Sequence, residues 1–266
     1  MQQVLIFTLL TALTGGFCIW LLSRLAGRYC IIDAFWGPGF AVLATVTART
    51  CPPDRWGIAQ TVVFTAICLW AARLGIYLGN RILRDPHEDR RYAAMAARYG
   101  PGFRWSSLVI VFLLQAVIMW FVALPVTISC AGILPQRSVL ILIPGGLLWA
   151  IGVFFEAVGD WQLARFRAQP DSAGKVLDSG LWGLTRHPNY FGDFCVWWGL
   201  WLMSYSAGAP GWTMISPLAM AFFLLRVSGV TLLEKDIGER RPGYAEYVRR
   251  TNAFFPGPPA DVSKRD

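Results

Sequence analysis

Seven apolar stretches, each long enough to cross a bilayer as a helix, constrain this chain more than any other feature of its sequence. The hydrocarbon core of a bilayer is about 30 Å thick, and a helix needs roughly 20 apolar residues to span it. Only 15% of the residues are charged, whereas soluble proteins carry about 25%. We therefore predict an all-α, polytopic membrane protein with about seven transmembrane helices. The spans are residues 4–22, 32–48, 57–79, 107–130, 139–160, 190–206 and 211–232.

The distribution of Lys and Arg between the connecting segments predicts the orientation of these spans. Of the 24 basic residues, 19 lie in one alternating set of segments and only 3 in the other. The positive-inside rule places the basic set in the cytoplasm, with the N-terminus outside and the C-terminus inside. This asymmetry accounts for most of the net charge of +8, so the expected partners are membrane lipids and not nucleic acid. The basic segments are residues 23–31, 80–106, 161–189 and 233–266.

Several local features bound the architecture further. No basic residue precedes the first apolar run, which favours a retained first helix over a cleaved signal peptide. The sequence Gly37-Pro38-Gly39 predicts a broken or tilted second helix. The six cysteines show no metal-ligand spacing, so no metal site is expected. We predict one domain over residues 1–256 and a flexible tail over residues 257–266.

Two acidic residues, Glu156 and Asp160, lie in the fifth span, where an ionisable side chain costs about 2.5–3.5 kcal/mol on insertion scales. Their spacing of four places both carboxylates on one helix face near the cytoplasmic end. Arg167 and Lys175 follow in the next segment. Two interpretations stay open. The acids belong to an ordinary helix end with flanking cations, or they form a polar wall that binds a ligand with both hydrogen-bond donors and negative charge.

The third span contains Arg73, roughly 9 Å from the end of the helix at 1.5 Å per residue. Arg73, Tyr77 and Arg84 recur at spacings of four and seven, which keeps them on one helical stripe. A guanidinium binds phosphate oxygens in a bidentate fork. If this stripe faces a cavity, it suits a phosphate group.

The strongest local motif runs from Thr185 to Asp193, directly before the sixth span. Pro188 fits the first turn of a helix, and a helix N-terminus carries a partial positive charge that favours an anionic ligand. A lone histidine at a helix start is more often structural, but several polar residue types packed into this stretch favour ligand binding. The candidate site residues are Arg186, His187, Asn189, Tyr190 and Asp193.

A second polar cluster, which includes Glu234 and Tyr244, closes the chain. Arg and Tyr interleave between residues 240 and 250 at near-helical spacing. One interpretation is an amphipathic surface helix that binds acidic lipid. The other is that this segment completes a ligand site.

These two clusters, after this pattern of spans, resemble the superfamily of steroid 5α-reductases, sterol C=C reductases and isoprenylcysteine carboxyl methyltransferases. Within it, residues 25–256 are similar to the bacterial DUF1295 group, which implies a bacterial inner membrane location. The sequence RHPNY at residues 186–190 is shared with the methyltransferases, so it indicates the superfamily and not the reaction. The other matching motifs are IDAFWG from Ile32, Trp70 with Arg73-Leu74-Gly75, EDRRY from Glu88, and Leu233-Glu234-Lys235 with the stretch from Tyr244 to Pro256.

The resemblance to the reductases implies that seven helices hold NADP(H) in a cavity facing the cytoplasm. By this resemblance, one group of residues neutralises the phosphates: Arg84, Arg167, Lys175 and Arg186. A second group hydrogen-bonds the nicotinamide and ribose: Glu156, Asp160, Asn189 and Asp193. Further cofactor-binding positions are expected at Arg73, His187, Glu234 and Tyr244.

This chain differs from the reductases at Trp70. In steroid 5α-reductases a Tyr at this position, with a Glu from an earlier helix, polarises the enone carbonyl of the substrate. An indole donates a hydrogen bond but does not readily give up a proton. The Glu-bearing motif has no recognisable match, and Asp33 is the acid at a comparable distance upstream.

The leading hypothesis is an NADPH-dependent reductase of an activated C=C bond in a lipophilic substrate that enters from the bilayer. Asp33, Tyr77 or Tyr190 would stabilise charge or supply the proton. One alternative is a membrane methyltransferase of the isoprenylcysteine carboxyl type that uses S-adenosylmethionine. The other is a lipid-binding or scaffold protein, in which the charges serve only topology.

Overall fold

The computed structural model describes residues 1–227 and 241–260. All regular secondary structure in this part of the chain is helical, which confirms the predicted fold class. The chain divides into two compact units. The first unit comprises Met1–Leu142 and Leu200–Ser216, and the second comprises Ile143–Gly199 and Pro217–Asp266.

The first unit is built from long apolar helices joined by short turns. The first helix ends at Gly27, which adopts a φ of 68° and donates its N–H to the carbonyl of Ser23. This left-handed conformation favours glycine and stops the helix. The helices are α1 Gln2–Ala26, α2 Ile31–Ala48, α3 Ile58–Arg84, α4 Arg90–Tyr99, α5 Phe103–Ser107, a π-helical stretch Leu108–Leu113 and α6 Leu114–Cys130.

The helix α2 runs unbroken through Pro38, in contrast to the predicted break. Its two glycines instead permit close packing on α3 and α6. A Cβ at Gly37 would lie 2.5 Å from the carbonyl oxygen of Ala71, and a Cβ at Gly39 would lie 2.5 Å from the sulfur of Met119. Gly37 therefore lies at a close helix crossing, where a side chain larger than hydrogen does not fit against the backbone of α3.

Most of the helical residues that carry the candidate site lie in the second unit, and residues 142, 200–206 and 215–216 of the helices named next belong to the first unit. These helices are α7 Leu142–Arg167, α8 Leu181–Leu184, α9 Pro188–Ser206, α10 Ile215–Phe222, a π-helical stretch Phe223–Val227 and α11 Tyr244–Arg250. The long segment between α7 and α9 is held by hydrogen bonds to α7 and to α11.

Five helical segments among the described residues are long and apolar enough to cross a membrane. They correspond to the first five predicted spans, so the protein is an integral, multi-pass membrane protein. The predicted count of seven is not confirmed. The sixth predicted span lies in α9, where tryptophans and polar residues reduce the hydropathy, and the seventh extends beyond the described residues. The five segments are Gln2–Ala26, Ile31–Ala48, Ile58–Arg84, Arg90–Cys130 and Val139–Arg167.

Candidate functional site

A row of glycines brings α7 and α9 into backbone contact. A Cβ at Gly152 would lie 2.5 Å from the carbonyl oxygen of Gly192, and a Cβ at Gly199 would lie 2.6 Å from the backbone nitrogen of Trp149. Small residues permit this close approach of helices. The contact fixes the start of α9 against the C-terminal half of α7, where the candidate acids lie.

The two acids of α7 are buried at this contact. Glu156 is 4% exposed and Asp160 is 6% exposed. A Cβ at Gly192 would lie 2.7 Å from the Cγ of Glu156, so the first turns of α9 pass directly over this side chain. Burying a carboxylate away from water is costly unless it is hydrogen-bonded or paired. Ionised carboxylates only accept hydrogen bonds, so both side chains are chemically suited to the donor groups of a ligand.

The N-terminus of α9 lies beside the same acids. A Cβ at Gly159, one residue before Asp160, would lie 3.2 Å from the Cγ of Pro188 and 3.6 Å from the backbone nitrogen of Asn189. The acidic face of α7 and the polar start of α9 are thus brought together in the second unit, as the sequence predicted for Asp160 and Asn189.

Two further candidates, His187 and Tyr190, form a stacked pair at the start of α9. Their ring centroids are 5.5 Å apart and the planes differ by 7°. His187 is 5% exposed and Tyr190 is half-buried. Asp193, one turn further along α9, is also half-buried. The stacking fixes the phenol ring of Tyr190, which is the only side chain of this pair that presents a hydroxyl group.

The segment before α9 is held by side chains that are not among the candidate site residues. The indole of Trp182 donates to the carbonyl of Gly159 at 3.0 Å, and the hydroxyl of Tyr247 donates to the carbonyl of Trp182 at 2.6 Å. Gln162 accepts from the backbone N–H of Leu181 at 3.1 Å. The interleaved Tyr residues near the C-terminus gave a signal for Tyr247, whereas nothing in the sequence distinguished Gln162 or Trp182.

Arg186 anchors the C-terminal segment. Its Nη1 donates to the carbonyls of Val248 at 3.1 Å and Thr251 at 3.0 Å, and its backbone N–H donates to the carbonyl of Asn252 at 2.9 Å. The hydroxyl of Thr185 donates to the carbonyl of Phe254 at 2.8 Å. These bonds give Arg186 a structural role beside the phosphate contact predicted for it.

Arg167 and Lys175 are exposed at the end of α7 and in the following loop. Lys175 forms an ion pair with Asp171 at 2.8 Å, and its hydrogen bond and charge lower the pKa of the Asp171 carboxyl. A cleft of about 380 Å³ lies between this loop and the last turns of α7. It is lined by Trp161, Gln162, Arg165, Phe166, Gln169, Val176, Leu177, Asp178 and Ser179.

Tyr244 is buried at the start of α11, with its ring 5.8 Å from that of Tyr247. It lies in the second unit with the α7 acids, but its predicted cofactor contact stays a prediction. Glu234 lies outside the described residues.

The remaining candidates belong to the first unit. The guanidinium of Arg73 lies 5.8 Å from the ring centroid of Tyr77, which confirms that the two share a helix face. Arg84 is exposed at the end of α3, and Trp70 is buried with 2% exposure. The roles predicted for Arg73, Tyr77 and Arg84 stay predictions.

Asp33 lies at the centre of a polar network in the first unit. Its two carboxylate oxygens accept from Arg91 and from the hydroxyl of Tyr92, both at 2.7 Å. Tyr92 in turn accepts from Gln115 at 3.2 Å, and Gln115 accepts from the indole of Trp36 at 2.6 Å. In this arrangement Asp33 is an acceptor that ties α4 to α2, which is a structural role, and its predicted catalytic role stays a prediction. Nothing in the sequence pattern indicates that Gln115 belongs to this network.

Among the described residues, no group of three or more His, Cys, Asp or Glu side chains is arranged to hold a metal ion.

Comparisons with known proteins match the chain to one family and two curated relatives. The family model described as "Protein of unknown function (DUF1295)" matches residues 19–251. The chain is 27% identical over 99 residues to the Delta(14)-sterol reductase erg24 of Schizosaccharomyces pombe, which covers 32% of this chain and 21% of the relative. It is 33% identical over 81 residues to the cobalt-zinc-cadmium resistance protein CzcN of Cupriavidus metallidurans, which covers 30% of this chain and 35% of that protein. No solved structure matches.

Proposed function

The chain belongs to the DUF1295 family, and on that premise we propose that it is a membrane-embedded reductase that uses NADPH to reduce an activated C=C bond in a lipophilic substrate. The observation that carries the proposal is the burial of Glu156 and Asp160 against the polar start of α9. The similarity to a sterol reductase supports the reaction class, although this chain spans only about a fifth of that relative.

The residues of the second unit fit the polar groups of a nicotinamide dinucleotide. Ionised carboxylates only accept hydrogen bonds, so Glu156 and Asp160 suit the carboxamide N–H and ribose hydroxyl groups. Asn189 and Asp193 at the start of α9 add further partners for the same groups. Arg167 and Lys175 are exposed cations on the same unit, and they suit the phosphates. Lys175 would leave its ion pair with Asp171 to contact a phosphate of the ligand.

The bound cofactor supplies the hydride for the β-carbon of the activated C=C bond. The protein must then stabilise the charge that develops on the substrate and deliver a proton. Tyr190 suits this role best in the second unit, because its ring is held by the stack on His187. The phenol hydroxyl of Tyr190 donates to the developing anion.

A binding experiment on purified protein in detergent tests the cofactor. The wild type should bind NADPH saturably, and Asp160→Asn and Glu156→Gln should each weaken binding by about 10-fold or more, since a hydrogen bond to a charged group contributes roughly 1.5–3 kcal/mol. Asp54→Asn, which changes an exposed acid in the first unit, serves as the control and should change the affinity by less than twofold. Thermal unfolding of each variant would separate lost binding from lost folding.

The same titration with S-adenosylmethionine discriminates the methyltransferase alternative. Saturable binding of S-adenosylmethionine without binding of NADPH would overturn the proposal. If both variants fold and bind NADPH with unchanged affinity, the reductase proposal stands, but Glu156 and Asp160 do not bind the cofactor.

A further inference from the structure

The first unit presents a basic, aromatic surface at the end that the charge distribution predicts to be cytoplasmic. This surface, which we call the α4–α5 rim, consists of Arg98, Tyr99, Arg104 and Trp105 on either side of the turn Gly100–Gly102. Tyr99 is 51% exposed and Trp105 is 61% exposed. Exposed Trp and Tyr side chains are typical of the boundary between hydrocarbon and headgroups.

The aromatic rings of the rim are fixed by packing. Tyr99 stacks on Phe103 with centroids 6.0 Å apart, and Trp105 lies 5.7 Å from Trp20 of α1. The guanidinium of Arg98 lies 5.9 Å from the ring centroid of Tyr99, and that of Arg104 lies 5.4 Å from the ring centroid of Trp105. Each guanidinium is thereby placed next to an exposed aromatic ring.

The acids near this end of the first unit have other partners. Asp33 pairs with Arg91, and Asp89 pairs with Arg81 and Arg91. Glu88 accepts from the backbone N–H groups of Tyr29 and Cys30, and Asp85 contacts His87 at 3.0 Å. Within residues 1–227 and 241–260, neither Arg98 nor Arg104 has an acidic partner.

We propose that the α4–α5 rim binds the headgroup of an anionic phospholipid, with Arg98 and Arg104 on the phosphate and Tyr99 and Trp105 against the acyl boundary. Guanidinium groups match phosphate oxygens in geometry and charge, and basic residues next to a membrane helix attract anionic lipid. The interleaved rings favour a lipid over a soluble anion, because a soluble anion has no acyl chain for the exposed rings to contact. This inference does not depend on the reductase proposal.

The test is native mass spectrometry of the full-length protein titrated with phosphatidylglycerol or phosphatidylcholine. The wild type should retain phosphatidylglycerol at least 10-fold more tightly, and this preference should fall as the NaCl concentration rises. The double variant R98Q/R104Q should weaken phosphatidylglycerol binding about 10- to 30-fold, at roughly fivefold for each cation near the surface. The control R49Q/R55Q removes two exposed cations from the segment between α2 and α3 and should change phosphatidylglycerol binding by less than twofold.

Three results would overturn the proposal. They are equal retention of the two lipids by the wild type, equal losses in the double variant and its control, and full competition by millimolar inorganic phosphate. If the double variant does not fold, the salt dependence and lipid preference of the wild type still decide the question.

Discussion

Tyr92 is the residue through which α2, α4 and α6 share one polar contact. Its hydroxyl donates to Asp33 and accepts from Gln115, and its side chain is 4% exposed. In the sequence Tyr92 stands out only as part of a family motif, because a single Tyr in an Arg-rich stretch does not indicate its partners.

Replacing Tyr92 by Phe tests this contact. The substitution keeps the ring but leaves the half-buried Asp33 and Gln115 without one partner each, so the free energy of unfolding should fall by about 1–3 kcal/mol. Chemical denaturation in detergent measures it. Tyr99→Phe is the matched control, since Tyr99 is 51% exposed; an equal effect of both variants would show that the network adds no stability.

Asp89 gives the first unit a pH dependence. Burial raises the pKa of Asp89, but the hydrogen bonds and charge of Arg91 and the charge of Arg81 outweigh it, and the pKa lies below its ordinary value. A carboxyl whose pKa is depressed by folding stabilises the protein above its unfolded pKa, near ~3.9, and this contribution is lost as the pH falls through the folded pKa.

We therefore expect the unfolding midpoint of the wild type to fall below about pH 4, while Asp89→Asn is less stable at pH 6 and changes less on acidification. The asparagine retains the acceptor that caps Arg91 at the start of α4, so the difference isolates the charge. Thermal unfolding between pH 3 and pH 6 measures both slopes, and parallel slopes would contradict the assignment.

At the scale of elements, the glycine contact between α7 and α9 positions the candidate site. Gly192→Ala would place a Cβ 2.6 Å from the carbonyl oxygen of Gly152 and 2.7 Å from the backbone nitrogen of Glu156. Overpacking of this kind typically costs about 1–3 kcal/mol. We expect this variant to lose stability and to lose NADPH binding with it.

Gly146→Ala on α7 is the control, because a Cβ at Gly146 meets no atom within 4 Å. It should be neutral or stabilising by up to about 1 kcal/mol, the difference in helix propensity between the two residues. Equal stability of the two variants, measured by thermal unfolding, would show that α7 and α9 are not in close contact.

At the scale of the whole molecule, the charge distribution predicts which loops face the cell exterior. In a background without native cysteines, Gln136→Cys should react with a membrane-impermeant maleimide in intact cells, and Gln169→Cys only after lysis. Both side chains are exposed, so accessibility within the protein is matched. Labelling in the opposite order would invert the topology.

The sequence predicted much of this architecture because membrane helices require long apolar runs and because ionisable residues in them are costly. It placed the first five spans and recognised that Asp160 and Asn189 belong to one polar region. It did not predict that Pro38 is tolerated within α2, since the glycine packing that stabilises this crossing depends on a second helix. It also did not predict the anchoring bonds of Arg186, because its partners are backbone carbonyls about 60 residues away, and these leave no trace in a residue pattern.

Hydrogen–deuterium exchange with and without ligand tests the central claim most directly, because it reports where the cofactor binds. Saturating NADPH should slow exchange in peptides covering residues 152–167 and 185–195, with no change in residues 2–26. S-adenosylmethionine should protect neither region. Protection of the same peptides by S-adenosylmethionine, or NADPH binding that leaves them unprotected, would contradict the account.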